Sequence, residues 1–125
     1  MTMPARPPFL AVGRSLLGGV CAGLPIREET VEDLKLALSE ACGNAIEHGY
    51  GGERGTLEIA VRSDGCEIEI SVADHGTGFT PAPAGEREHH LGIGLSMIGA
   101  LSDRWRAESA PGSGTVVTFA HPLDG

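Results

Sequence analysis

The sequence of 125 residues predicts an α+β fold, a two-layer sandwich with helices on one face of a mixed, mostly antiparallel sheet. Two segments with helical periodicity come first, and strands with a two-residue period follow in hairpin-like pairs. The regular strand and helix alternation of a doubly wound parallel sheet is absent. The length suits one domain, predicted over residues 9–125, with the proline-rich residues 1–8 as a flexible arm.

Two helices are predicted before the strands. The segment from Phe9 to Leu24 is apolar enough for a helix, although its three glycines each weaken a helix by about 1 kcal/mol relative to alanine. The segment from Glu28 to His48 has a clearer pattern, with Thr30 as a candidate cap and Asp33 at the capping-box position. The apolar face of this second helix comprises Leu34, Leu38, Ala41 and Ala45.

Two strands follow, over TLEIAVRS and CEIEISVAD, joined by an Asp64-Gly65 turn that is typical of hairpins. Residues 79–91 lack periodicity and predict a mobile loop. A further helix is expected from Ile93 to Asp103, with Met97, Ile98 and Leu101 facing inward. The last two strands are expected at residues 104–109 and 115–120.

Charge and composition exclude several classes of function. The net charge of -8 and the scattered basic residues argue against a nucleic-acid partner. No apolar run reaches the roughly 20 residues of a membrane span, and no secretory signal is evident, so a cytoplasmic location is expected. Cys21, Cys42 and Cys66 form no CxxC pair and have apolar neighbours, which predicts buried free thiols.

A polar helix face is the first candidate site. Glu40, Asn44 and His48 are spaced four residues apart and share one face of the second helix. The carboxylate can orient or deprotonate a nucleophile, and the amide oxygen is a hard ligand that suits Mg²⁺. A solvated polar face is the alternative interpretation.

Glycine-rich segments supply the other candidates. Asp74 ends a strand and opens a DxGxG loop, which can receive a ring or a phosphate or can be a plain turn. Leu91-Gly92-Ile93-Gly94-Leu95 stands where a loop becomes a helix, a junction that favours anions. The hydroxyl of Thr115, after Gly112-Ser113-Gly114, can reach a ligand or complete a turn.

The order of these motifs resembles that of the GHKL ATPase superfamily, which includes gyrase, histidine kinase and MutL-type domains. The N box is similar to Glu40-Ala41-Cys42-Gly43-Asn44, the G1 box to Asp74-His75-Gly76-Thr77-Gly78, and the G2 box to Gly92-Ile93-Gly94. The resemblance runs from about Leu10 to Phe119 and implies the GHKL (Bergerat) fold. Within the superfamily, LALSEACGNAIEHGYGG looks most like the anti-sigma factor serine kinases of bacteria.

The resemblance also implies residue roles. Glu40 would be the general base on a substrate serine, Asn44 would ligate Mg²⁺, and Asp74 would accept a hydrogen bond from the adenine amine. Gly76 and Gly78 would make room for the ring, Gly92 and Gly94 would wrap the phosphates under a lid at residues 79–91, and Thr115 would assist at the adenine. The candidate residues for binding ATP are Asn44, His48, Asp74, Gly76, Gly78, His90, Gly92, Ile93, Gly94, Leu95 and Thr115.

The implied function is an anti-sigma factor that binds a sigma factor and phosphorylates a STAS-type anti-anti-sigma partner, with a homodimer as a possible assembly.

One departure concerns the arginine that kinases of this family often place before the G2 box, where this sequence has His89 and His90. That departure favours the alternative of a binding module without phosphotransfer. A histidine kinase fragment is a third interpretation, opposed by the lack of a preceding phosphoacceptor hairpin. Adjacent loop histidines without further ligands are poor metal chelators.

Overall fold

The computed structural model describes residues 1–46, 55–74, 97–110 and 114–124. Residues 97–101 are helical, and a short 3-10 turn spans Pro7–Phe9. In chain order, the other elements are β1 (Thr2–Pro4), α1 (Leu10–Cys21), α2 (Glu28–Asn44), β2 (Thr56–Ser63), β3 (Glu67–Asp74), β4 (Arg104–Ala110) and β5 (Gly114–Pro122). Within these ranges, no helix combines the length and the apolar character needed to span a membrane.

The strands of the described ranges form one sheet of five with the order β1-β2-β3-β5-β4, and every neighbouring pair among them is antiparallel. A hairpin joins β2 to β3, as the Asp64-Gly65 turn predicts. β4 also pairs with β5, but residues 111–113 between them lie outside the described ranges. The strand β5 lies between β3 and β4, so the end of β3 faces the beginning of β5. The α+β sandwich predicted from the sequence is confirmed.

One face of the sheet carries the core. Every second side chain of β3 is buried, beginning with Ile68, Ile70 and Val72, and Phe119 of β5 lies fully buried opposite Ile70. The helices cover this face with the side chains of Leu17, Leu34, Ala37 and Leu38. Burial of each large aliphatic side chain contributes about 1.5–3 kcal/mol, so this layer supplies most of the stability.

Glycine explains how closely α1 approaches the sheet. A Cβ atom at Gly13 would lie 3.0 Å from Cδ1 of Ile59 and 3.6 Å from Cδ2 of Leu38. The lack of a side chain therefore lets the helix axis come near β2. The predicted helix from Phe9 to Leu24 is confirmed as α1, because this packing offsets the low helix propensity of its glycines.

The expected flexible arm over residues 1–8 differs from the structure, in which Thr2–Pro4 form β1 against β2. Met3 is buried, and the Met1 ammonium donates a hydrogen bond of 2.7 Å to the carbonyl of Ile59. Proline lacks a donor, but an edge strand leaves one side of its backbone unpaired, so Pro4 is accommodated there. Three residues are too few to show alternation in a sequence.

Three further expectations need correction. Thr30 does not cap α2, because it lies inside the helix and is buried, and the N-cap is Arg27. Cys66 is exposed, whereas Cys21 and Cys42 are buried as predicted, and all three are free thiols. The helix predicted to end at Asp103 ends at residue 101, and the Asp103 N–H donates to Ala120 O at 3.0 Å as the chain enters β4.

Candidate functional site

Four of the predicted site residues lie in the part of the chain that the structure describes: Glu40 and Asn44 on α2, Asp74 on β3 and Thr115 on β5. Residues 79–91, the expected loop, lie outside the described ranges. So do eight further candidates, whose roles remain predictions: His48, Gly76, Gly78, His90, Gly92, Ile93, Gly94 and Leu95.

Asp74 is the last residue of β3 and continues the buried row of Ile68, Ile70 and Val72 on the core face. Its relative exposure is only 4%. A carboxylate in such a place is costly unless polar groups meet it, so its position at the end of an apolar row is a functional signal.

The residues opposite Asp74 define the surroundings of its carboxylate. Thr115 is its direct partner on β5, and Leu57 is its direct partner on β2. Directly opposed residues in antiparallel strands have Cβ atoms about 4.5–5.5 Å apart on one face. The sheet therefore brings together a carboxylate acceptor, a hydroxyl and an apolar wall, a combination that suits a flat heterocycle with an exocyclic amine.

Asn44 ends α2, which packs against β3. Its Nδ2 atom is buried and makes no hydrogen bond within the described ranges. Glu40 lies one helical turn earlier and is half-buried. The two side chains thus share a helix face, as the spacing predicts, and the amide is a buried polar group that a bound ligand can satisfy.

The thiol of Cys42 lies next to this face. Cys42 is almost completely buried, and burial raises the pKa of its thiol to about 12. It therefore stays protonated at neutral pH, and a protonated thiol is a poor nucleophile.

The donors fit Mg²⁺ held together with a nucleotide. The described ranges contain no group of three or more His, Cys, Asp or Glu residues that could hold a metal ion alone. Mg²⁺ commonly takes one or two protein oxygens and completes its shell with water and phosphate oxygens. The amide of Asn44, turned about its last bond, can offer one such oxygen. When bound, the ion would neutralise phosphate charge.

A family model described as the histidine kinase-like ATPase domain matches residues 3–121. The chain belongs to this family. The family resemblance inferred from the three motifs is thereby confirmed, and membership in the histidine kinase-like ATPase family implies the use of ATP. The match begins at residue 3, inside β1, which agrees with the place of that strand in the sheet.

Relatives within the histidine kinase-like ATPase family indicate the group of proteins that the chain resembles. The chain is 32% identical to the serine-protein kinase RsbW of Bacillus velezensis, over 100% of this chain and 85% of that protein. It is 40% identical to the RsbW of Bacillus licheniformis, over 82% of this chain and 73% of that protein. The chain therefore groups with the serine-protein kinases named RsbW, as the sequence predicts.

A solved structure agrees with these relatives. The RsbU and RsbW domains of Rv1364c from Mycobacterium tuberculosis superpose with a TM-score of 0.66 at 26% identity. The alignment covers 98% of this chain and 32% of that longer one. The described core, with its helices on one face of the sheet, is therefore the fold of an RsbW domain.

Two residues on α2 were given no role in the sequence-based interpretation. Leu36 is 44% exposed, and a Cβ atom at Gly43 would meet no atom of the described part of the chain within 4 Å. The signals were an apolar residue outside the apolar stripe and a glycine inside a helix. Both lie close to Glu40 along the helix.

Proposed function

We propose that the chain is an ATP-dependent serine/threonine protein kinase and anti-sigma factor, which binds a sigma factor and phosphorylates a STAS-type anti-anti-sigma partner. The observation that carries the proposal is the buried amide of Asn44, with Glu40 one turn before it, on a helix packed over the strand that ends at Asp74. The relationship to serine-protein kinases over the whole chain supports it.

In this proposal the sheet and the helix layer each contribute residues that bind the nucleotide. The Asp74 carboxylate accepts a hydrogen bond from the adenine amine, and Thr115 assists from the opposite strand. From the helix layer, Asn44 provides an oxygen for Mg²⁺. The glycines of the DxGxG segment make room for the adenine ring, and those of the GxG segment wrap the phosphates. His48, His90, Ile93 and Leu95 complete the predicted binding set.

The chemical step requires a base and a correctly placed hydroxyl. Glu40 accepts the proton of the substrate serine, and the serine oxygen forms a bond to the γ-phosphorus of ATP. The bond from that phosphorus to the bridging oxygen breaks, and ADP leaves. Phosphoryl transfer depends chiefly on positioning and charge neutralisation, so a half-buried carboxylate beside a magnesium ligand suits this role.

The proposed cellular role is partner exchange in the cytoplasm. The unphosphorylated anti-anti-sigma protein binds the kinase and is released once its serine carries phosphate, after which the kinase holds the sigma factor. A homodimer is part of the proposal.

The test is transfer of labelled γ-phosphate from ATP to a purified STAS-type anti-anti-sigma protein. Label should appear on the partner's serine with the parent chain, and Glu40→Gln should bind ATP normally yet transfer at least about a hundredfold more slowly. Transfer by Glu40→Gln at the parent rate would refute the base role. ATP-dependent partner binding without any transfer by the parent would favour the binding module.

A further inference from the structure

A strip of three residues on α2 lies outside the apolar stripe that faces the sheet. Leu36, Glu40 and Gly43 are separated by four and three residues, so they follow one another along one side of the helix. Leu36 is 44% exposed, although it is a large apolar residue. We call these three residues the α2 strip.

Gly43 is a helical glycine that the described packing does not require. A Cβ atom there would meet no atom of the described residues within 4 Å, and its φ is not positive, since the described glycines with positive φ are Gly65 and Gly114. A glycine inside a helix costs about 0.5–1 kcal/mol relative to alanine. At Gly13, by contrast, close contact with Ile59 explains the glycine. The described residues leave space at Gly43, beside Glu40, in which another molecule can lie.

Charge indicates which kind of molecule fits. Glu29, Glu32 and Asp33 are exposed on the same helix, and the basic residue of α2, Lys35, lies over Gly18 of α1. The Lys35 ammonium is 3.5 Å from one carboxylate oxygen of Glu32. No second basic residue of α2 is present to neutralise the other acidic side chains of this surface. A basic segment with one apolar side chain would complement this surface.

We propose that the α2 strip is the docking surface for the segment of the protein substrate that carries the acceptor serine. The inference rests on the proposed function, because Glu40 can deprotonate only a hydroxyl that approaches over its own helix face. The substrate backbone passes close to Gly43, an apolar side chain covers Leu36, and lysine or arginine residues face Glu29, Glu32 and Asp33.

The experiment uses a purified STAS-type anti-anti-sigma protein as the probe and compares Gly43→Leu with Gly19→Leu. Gly19 is the matched control, since it is also a helical glycine at which a Cβ would meet nothing within 4 Å. Gly43→Leu should bind ATP as the parent does and lose at least about tenfold in kcat/KM for the partner, mainly through KM. Gly19→Leu should keep the parent value.

Leu36→Ser gives a second, independent variant, expected to raise KM for the partner with kcat unchanged. Calorimetric binding of the same partner to the ATP-loaded chain repeats the comparison without catalysis, so that absence of transfer by the parent would refute the proposed function alone. Parent-like partner binding and kcat/KM in both variants would overturn the docking proposal. So would a loss of ATP affinity in Gly43→Leu that accounts for its whole defect.

Discussion

The position of Asn44 is unfavourable for the stability of the fold, and we propose that the same side chain functions in nucleotide binding. A buried polar atom without a partner costs about 1–3 kcal/mol, and Nδ2 of Asn44 makes no hydrogen bond to any residue in the described ranges. If the amide serves a bound magnesium nucleotide, its removal should harm binding and spare the fold.

Asn44→Ala should therefore abolish detectable binding of Mg-ATP while the midpoint of thermal unfolding without nucleotide stays the same or rises. Calorimetry and thermal unfolding, with Glu40→Ala as the control that keeps nucleotide binding, measure the two effects separately. A variant that binds Mg-ATP as well as the parent would show that Asn44 is not a magnesium ligand.

The thiols give a prediction about reactivity. Cys66 is exposed, whereas Cys21 and Cys42 are buried and burial raises the pKa of both thiols. A thiol reagent at pH 8 should modify one cysteine quickly in the folded protein and all three after unfolding. Cys66→Ser should remove the fast phase, and a persisting fast phase would mean that a buried thiol is accessible.

The same burial has a consequence for stability at high pH. The pKa of Cys42 is about 12 in the folded protein, against an ordinary value of 9.0. Between these values the unfolded chain loses a proton that the folded chain keeps, so the free energy of unfolding should fall as pH rises from 9 toward 12. Denaturant unfolding of the parent and Cys42→Ala across this window measures the effect, which the variant should reduce.

At the scale of elements, the glycines of α1 differ in what they contact. Gly19→Ala should stabilise the protein by up to about 1 kcal/mol, because the helix gains propensity and the new methyl meets nothing within 4 Å. Gly13→Ala should destabilise it, because the methyl would lie 3.0 Å from Ile59. Urea unfolding of both variants tests this, and equal shifts for the two would contradict the packing of α1 on β2.

Element prediction from the sequence succeeded where the local pattern was long enough. The alternation in β2 and β3 and the apolar stripe of α2 each extend over several residues, so burial periodicity alone reveals them. The strand β1 is too short to be detected in this way, because Met3 is the only one of its three residues whose side chain is buried. The start of α2 at Glu28 was predicted correctly, but the cap was misassigned, since Thr30 satisfies the capping pattern from inside the helix.

At the scale of the whole molecule, β1 ties the N-terminus into the core. Met3→Ala should lower the free energy of unfolding by about 2–5 kcal/mol, because its side chain is 4% exposed and pairs with Leu57 on the core face. Thr2→Ala, at an exposed position of the same strand, is the control. Urea unfolding measures both, and a Met3→Ala effect no larger than that of Thr2→Ala would show that β1 contributes little.

The sequence predicted which residues belong to the candidate site, but not how the fold brings them together. Motif order singled out Glu40, Asn44, Asp74 and Thr115, but the pairing of Asp74 with Thr115 depends on β5 lying beside β3. Such non-local pairing leaves no trace in local periodicity, because it is set by the packing of the whole sheet. The exposure of Leu36, by contrast, agrees with its place outside the apolar stripe predicted for α2.

The proposed nucleotide site is built around the buried carboxylate of Asp74. Calorimetric titration of ATP, with and without Mg²⁺, in the parent and in Asp74→Asn is the test of this site. The expected result is magnesium-dependent binding that weakens about ten- to a hundredfold in the variant, which unfolds at a similar temperature. Absence of ATP binding to the parent would show that the chain lacks the proposed nucleotide site. Equal affinity in the two proteins would show that Asp74 does not bind the nucleotide.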